Sequence, residues 1–413
     1  MAKAFSVKNY FKKIHTYELL ADLYEKHQIV AILGITDTTS RKNAVDIMMD
    51  FYKSLDPSQK IDIEKELALI GTLSTKYSVA LFIALLKQKK IPYQETQVEC
   101  KTDQDKVLYY YLYHKDIFDE VMFYHDFYIS RGYMLYEAKK VDMITAEFAI
   151  TELAKEFKRI ANKEERTTEC DVTAKSLDGL LYIHAIFEGG AELSPKRDTV
   201  TGELDRTRTV RKQEEVKIVY LPEDEEVLIS YTGSKHEKII FLDTFLRVVC
   251  KSGFTDKVES FDLQSFKQQD FDFSKTNKGT PLLTWKIKAI TLALGGSEKA
   301  KKKMRLSLPS TVQENGLNPL FSTLDELELT SKLAGYGIEN IALSFSFINK
   351  EKPEKSVNVS CSLSLSKSSL CPLFPYDRYA RTLLKQARID GGFIENVKKD
   401  IENVTKKWSM NDE

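Results

Sequence analysis

The stretch Ile341-Ala-Leu-Ser-Phe-Ser-Phe347 decides how the second half of this chain folds. Ile341, Leu343, Phe345 and Phe347 alternate with Ala342, Ser344 and Ser346. Successive side chains of a strand point to opposite faces, so this strand has one wall to bury and one to wet. A charged break follows, Asn349-Lys-Glu-Lys-Pro-Glu-Lys355. Beyond it Val357, Val359, Cys361, Leu363 and Leu365 alternate with Asn358, Ser360, Ser362, Ser364 and Ser366. The two runs predict an antiparallel hairpin lying over a core, with a short helix at 376–388 packed on the same sheet.

Working outward from this hairpin, the period of two continues back to about residue 166. Leu180-Leu-Tyr-Ile-His-Ala-Ile-Phe187 is a strand, and Val216–Tyr220 and Val227–Tyr231 form a hairpin around Pro222-Glu-Asp-Glu225. The runs 285–294 and 304–308 pair across Gly295-Gly-Ser297, with helices expected at 236–249 and 324–333. From Thr16 to about Lys163 the period is instead helical: Leu19, Leu20 and Leu23, then Val45, Met48, Met49 and Tyr52, then Ile61, Ile63, Leu67 and Ile70. Asp56-Pro57 and Gly71 bracket one such helix in the way helix ends favour. A tyrosine-rich helix is expected over 103–130 and an amphipathic one over 145–162, with Phe148, Leu153, Phe157 and Ile160 on its apolar face. The expected fold class is therefore α+β: a helical domain at 1–165, a mainly antiparallel sheet domain with a few helices at 166–392, and a basic C-terminal helix or tail at 393–413.

A chain of 413 residues is long for one core, which agrees with two domains. Lys plus Arg and Asp plus Glu both number 61, so no bulk field attracts an anionic partner and any attraction must be local. Five widely spread cysteines with no CxxC pair argue against a disulfide framework and a zinc knuckle. The first residues lack a signal-peptide core, and the most apolar run, Val79–Leu86, is far short of a membrane span of about 20 residues. A cytoplasmic protein without membrane attachment is expected.

The basic residues fall in two groups. The connection Pro195–Lys212 carries Lys196, Arg197, Arg206, Arg208, Arg211 and Lys212 against Asp198, Glu203 and Asp205. The turn after Gly295 carries Lys299, Lys301, Lys302, Lys303 and Arg305. If they converge, they could follow a phosphate backbone in DNA or RNA; the alternative is solvated hairpin tips whose lysines discourage edge pairing. An acidic alternative is Asp126, Glu137 and Lys139, which fit the D-x10-E-x-K spacing of metal-dependent restriction-type nucleases if Arg131-Gly132 turns a hairpin between them. His114, His125-Asp126 and Asp142 resemble an HD-type phosphohydrolase set, but two histidines eleven residues apart on one helix stand some 16 Å apart. Phosphate-loop, G-x-S-x-G and H-E-x-x-H motifs are absent. No cofactor and no resident metal are expected.

The order of hairpins, the turn Leu365-Ser-Lys-Ser-Ser-Leu-Cys-Pro-Leu373 and the segment Asp377-Arg-Tyr-Ala-Arg-Thr-Leu-Leu-Lys-Gln-Ala-Arg-Ile389 together resemble a family of uncharacterised bacterial proteins from defence and mobile-element neighbourhoods. The resemblance carries no activity and no catalytic residues. It implies an accessory subunit of a bacterial intracellular assembly, with antiviral defence as its setting and protein partners in a multi-subunit complex. The expected function is a non-catalytic interaction subunit: the helical domain docks a protein and the sheet domain contacts nucleic acid. The rivals are the metal-dependent nuclease and a pure protein adaptor.

Overall fold

Helices crowd the first third of the chain because their apolar positions recur at three- and four-residue steps and their starts are capped. In the computed structural model, residues 5–30, 34–36, 39–91, 100–130, 133–163, 170–193, 196–197, 204–205, 209–255, 257–294, 302–308, 316–349, 354–365 and 367–395 are described. They form two compact units, Met1–Arg131 with Ser176–Asp178, and Gly132–Lys175 with Gly179–Glu413. The division falls at 131/132 and not near 165, because helices Met143–Phe148 and Ile150–Lys163 belong with the sheets.

In the helical unit, Pro57–Leu73 opens with Asp56 and Gln59 capping each other, and Asp103–Tyr113 opens with the reciprocal pair Thr102 and Asp105. Asp105 is fully buried, yet it accepts backbone N–H bonds from His15 (2.9 Å), Thr16 (3.1 Å) and Thr102 (2.9 Å). Those bonds offset its desolvation and pin the turn before helix Tyr17–Lys26 to a segment almost ninety residues away. Leu19, Leu23, Ile63, Leu67, Ile70, Phe82, Val107 and Phe118 have no exposed surface, and Phe82 stacks on Tyr110 at 4.4 Å. The tyrosine-rich segment is two helices, Asp103–Tyr113 and Lys115–Ile129, because His114 leaves helical geometry at φ −138°, ψ 55°.

The sheet unit holds two five-stranded sheets. The first runs Met134–Glu137, Glu226–Tyr231, Thr209–Leu221, Leu180–Leu193, Cys170–Leu177. Its core face (Leu181, Ile183, Phe187, Ile218, Tyr220, Val227, Ile229) is covered by Phe157 of helix Ile150–Lys163 and by Phe241 and Phe245 of helix Lys235–Val248. Phe148 was expected on that apolar face. It is 81% exposed, because the helix breaks at Ala149 and the first segment turns Ala146 inward instead.

The second sheet runs Lys302–Ser307, Leu282–Leu294, Gly337–Ile348, Ser356–Ser364, Lys367–Ser368. The hairpin legible in the sequence is there, with Phe345 opposite Val359 and Leu343 opposite Cys361. Ile341, Leu343, Phe345 and Phe347 are fully buried beneath Leu320, Phe321 and Leu324 of helix Asn318–Glu326 and Ala380, Leu383 and Leu384 of helix Pro375–Gln386. Leu365 departs from the pattern at 53% exposed, since the strand ends at Ser364. Phe393–Glu395, expected to begin a helix, are strand: Gly391-Gly392 breaks helical geometry, Gly392 takes φ +75°, and Asp390–Glu395 pairs with Lys257–Phe261. Residues 396–413 lie outside the described residues. No single helix among the described residues is long and apolar enough to cross a membrane.

Candidate functional site

The basic residues expected at a turn after Gly295 lie, where described, on a strand. Lys302–Ser307 pairs with Leu282–Leu294, setting Lys303 opposite Ala293 and Arg305 opposite Thr291. Met304 and Leu306 pack against the core, so Lys303 and Arg305 point from the other face and are exposed. That face continues on the next strand with Lys286 and Lys288, which alternate with buried Trp285 and Ile287. An irregularity in pairing between Ala342/Leu343 and Ala289/Ile287 falls at Lys288 and leaves it as an extra residue. Lys288 Nζ donates to Ser360 Oγ at 2.8 Å, across the intervening strand. Ser344, level with Lys286 on one side and Ser360 on the other, is left only 7% exposed.

The rest of the face is short and polar: Asn340 and Ser346 half-buried, Asn358, Ser360 and Ser362 exposed. Its acid is Glu339, whose carboxylate pairs with Lys303 at 2.6 Å. Lys286, Lys288 and Arg305 make no ion pair among the described residues. The result is a hydroxyl-lined face with three cations that no acid neutralises among the described residues. Lys286 and Lys288 escaped the sequence reading, although their alternation with Trp285 and Ile287 was the signal that could have found them.

The other basic group is divided between the first sheet, which holds Arg211 and Lys212, and a separate two-stranded sheet, which holds Lys196 and Arg197. The segment read as a connection is a two-stranded ribbon continuing strands Leu180–Leu193 and Thr209–Leu221: Glu188 pairs with Gln213, Ala191 with Arg211, Lys196 with Asp205 and Arg197 with Leu204. Lys212 follows Arg211 on the same strand. Arg206, Arg208, Lys299 and Lys301 lie outside the described residues. The described members of the two basic groups, expected to lie at strand connections of one domain, are therefore distributed over three sheets.

The acidic alternative does not form the hairpin it needs. Asp126 is on helix Lys115–Ile129 of the helical unit, whereas Glu137 and Lys139 belong to the sheet unit. Glu137 pairs with Lys257 at 2.5 Å, and the Lys139 carbonyl accepts the Tyr220 hydroxyl at 2.9 Å. Asp142 caps helix Met143–Phe148, accepting from Thr145 N at 2.9 Å and Oγ1 at 2.6 Å, and these bonds hold its carboxyl below the usual range. His125 is buried and burial pushes its imidazole down; His114 ends one helix and starts the next. Among the described residues no group of three or more His, Cys, Asp or Glu side chains is arranged to hold a metal. All five cysteines are free thiols, and burial pushes Cys170 up to about 11, Cys371 up to about 11 and Cys250 up to about 12, away from nucleophilic behaviour.

Neither the family models nor the curated proteins compared with the chain match it.

Proposed function

We propose that this chain is a non-catalytic binding subunit that contacts nucleic acid through the open face of its second sheet. The observation that carries the reading is the placement of Lys286, Lys288 and Arg305 on one polar face, none of them neutralised by an acid among the described residues. Cations spaced along neighbouring strands can each neutralise a phosphate, and the hydroxyls of Ser360 and Ser362 can donate to phosphate oxygens between them. The helical unit engages a protein partner in the same proposal, with Ile61, Tyr77 and Tyr113 its half-exposed apolar side chains. The proposed setting, a bacterial defence assembly, rests on the resemblance at 365–389 alone.

The test is retention of DNA and RNA by the full chain in a gel-shift assay, beside the triple variant K286E/K288E/R305E. The proposal expects retention by the native chain and its loss in the variant, whose circular dichroism and melting temperature stay unchanged because all three side chains are on the wet face. Equal retention by both proteins would overturn it. If neither retains nucleic acid and a protein co-purifies, the chain is an adaptor.

A further inference from the structure

We infer that the face takes the phosphate backbone of a duplex and is blind to base sequence, an inference that rests on the nucleic-acid reading above. Proteins that hold single strands stack successive bases on exposed aromatic rings, each base contributing about 1–3 kcal/mol. The four long strands of this sheet carry their aromatic residues, Trp285, Phe345 and Phe347, on the core side, at 2%, 0% and 0% exposed. Trp285 is further committed there by its indole N–H, which donates to Asp272 Oδ1 at 2.7 Å, and by edge contacts with Phe273 and Phe271. Among the described residues the open face offers lysine, arginine, serine, threonine, asparagine and alanine side chains around Glu339, with Ile348, 37% exposed, at the end of its strand. Among the described residues of this face no helix and no protruding two-stranded ribbon is offered to a groove, so base edges stay out of reach.

What remains is charge. A duplex carries its phosphates more densely than a single strand and releases more counterions for each one neutralised, with a log–log salt slope of about 0.9 against about 0.7. Glu339 sets the limit on that attraction, because its carboxylate holds Lys303 at 2.6 Å and removes one of the four cations from use. Releasing Lys303 should therefore strengthen binding, a gain that misfolding cannot produce.

The experiment titrates the full-length chain by fluorescence anisotropy with two duplexes of unrelated sequence, with one strand of each, and with vesicles of anionic phospholipid. The inference expects the duplexes to bind within about twofold of one another and more tightly than either strand, and expects E339Q to tighten duplex binding and steepen its salt slope by about 0.9. Preference for a single strand, or about tenfold preference for one duplex, would overturn the inference and leave the nucleic-acid reading standing. An unchanged slope in E339Q would remove Lys303 and Glu339 from the site. No binding to any nucleic acid, or binding to the vesicles alone, would overturn the reading and the inference together.

Discussion

Arg381 Nη2 lies 2.7 Å from Glu226 Oε1, with the two side chains only 7% and 4% exposed. The pair ties helix Pro375–Gln386, which packs on the second sheet, to strand Glu226–Tyr231 of the first. Directly across from Glu226 in the register stands a second carboxylate, Glu137. Like charges placed opposite one another destabilise a sheet, and here each has its own cation, Arg381 for Glu226 and Lys257 for Glu137. Lys257 also comes from the strand that pairs with Asp390–Glu395, so both cations join the first sheet to elements from later in the chain.

Removing one member of this buried pair should cost more than removing both. Arg381→Met leaves a buried carboxylate without its guanidinium and should destabilise the sheet unit by about 3–5 kcal/mol, whereas E226M/R381M should recover most of that loss. Urea unfolding midpoints of the singles and the double measure the difference. Burial raises the Glu226 carboxyl above its ordinary value despite Arg381 and Lys385. The folded state therefore holds that proton more tightly than the unfolded chain. The contribution of this group to stability should fall as pH rises from the ordinary carboxylate range to the raised value, and Glu226→Gln should remove that slope.

His125 works in the opposite sense. Burial lowers its imidazole below 6.5, so the unfolded chain takes up the proton first and stability is lost as pH falls from 6.5 toward the lowered value. His15, lowered by burial and by Arg41, contributes a second part. Melting temperatures across this window should show the acid-side loss shrink in His125→Phe and persist in the native chain.

Gly233 is required by its neighbour. A Cβ at this position would collide with Cζ and Oη of Tyr231, whose hydroxyl is held near Glu237 Oε2 at 3.2 Å. Gly233→Ala should destabilise by about 1–3 kcal/mol through overpacking. In a Tyr231→Ala background the same change should be nearly silent, a coupling that a double-mutant cycle reads directly.

Much of this was legible where one force acts alone. The hairpin 341–363 and the helical stripes follow from burial of alternating or three-and-four-spaced apolar residues, and the structure has them in that form. The break at His114 was not legible, because Tyr110, Tyr111, Phe118 and Tyr124 keep the segment apolar on both sides of it. The strand pairing within 188–213 was not legible, because these residues carry no apolar alternation. The wet side of Lys286 and Lys288 was legible in their alternation with Trp285 and Ile287, but which other cations share that face is set by the partner strand. The nuclease spacing of Asp126, Glu137 and Lys139 failed for the converse reason, since spacing along a chain does not survive a change from helix to strand between two units.

The most direct test of the central claim is the salt dependence of duplex binding by the native chain and by Lys286→Ala, Lys288→Ala and Arg305→Ala. Three cations left unneutralised among the described residues predict a log–log slope of about −2.7, which should become shallower by about 0.9 with each substitution. Slopes that stay the same in all three variants would contradict the claim that this face holds the phosphates.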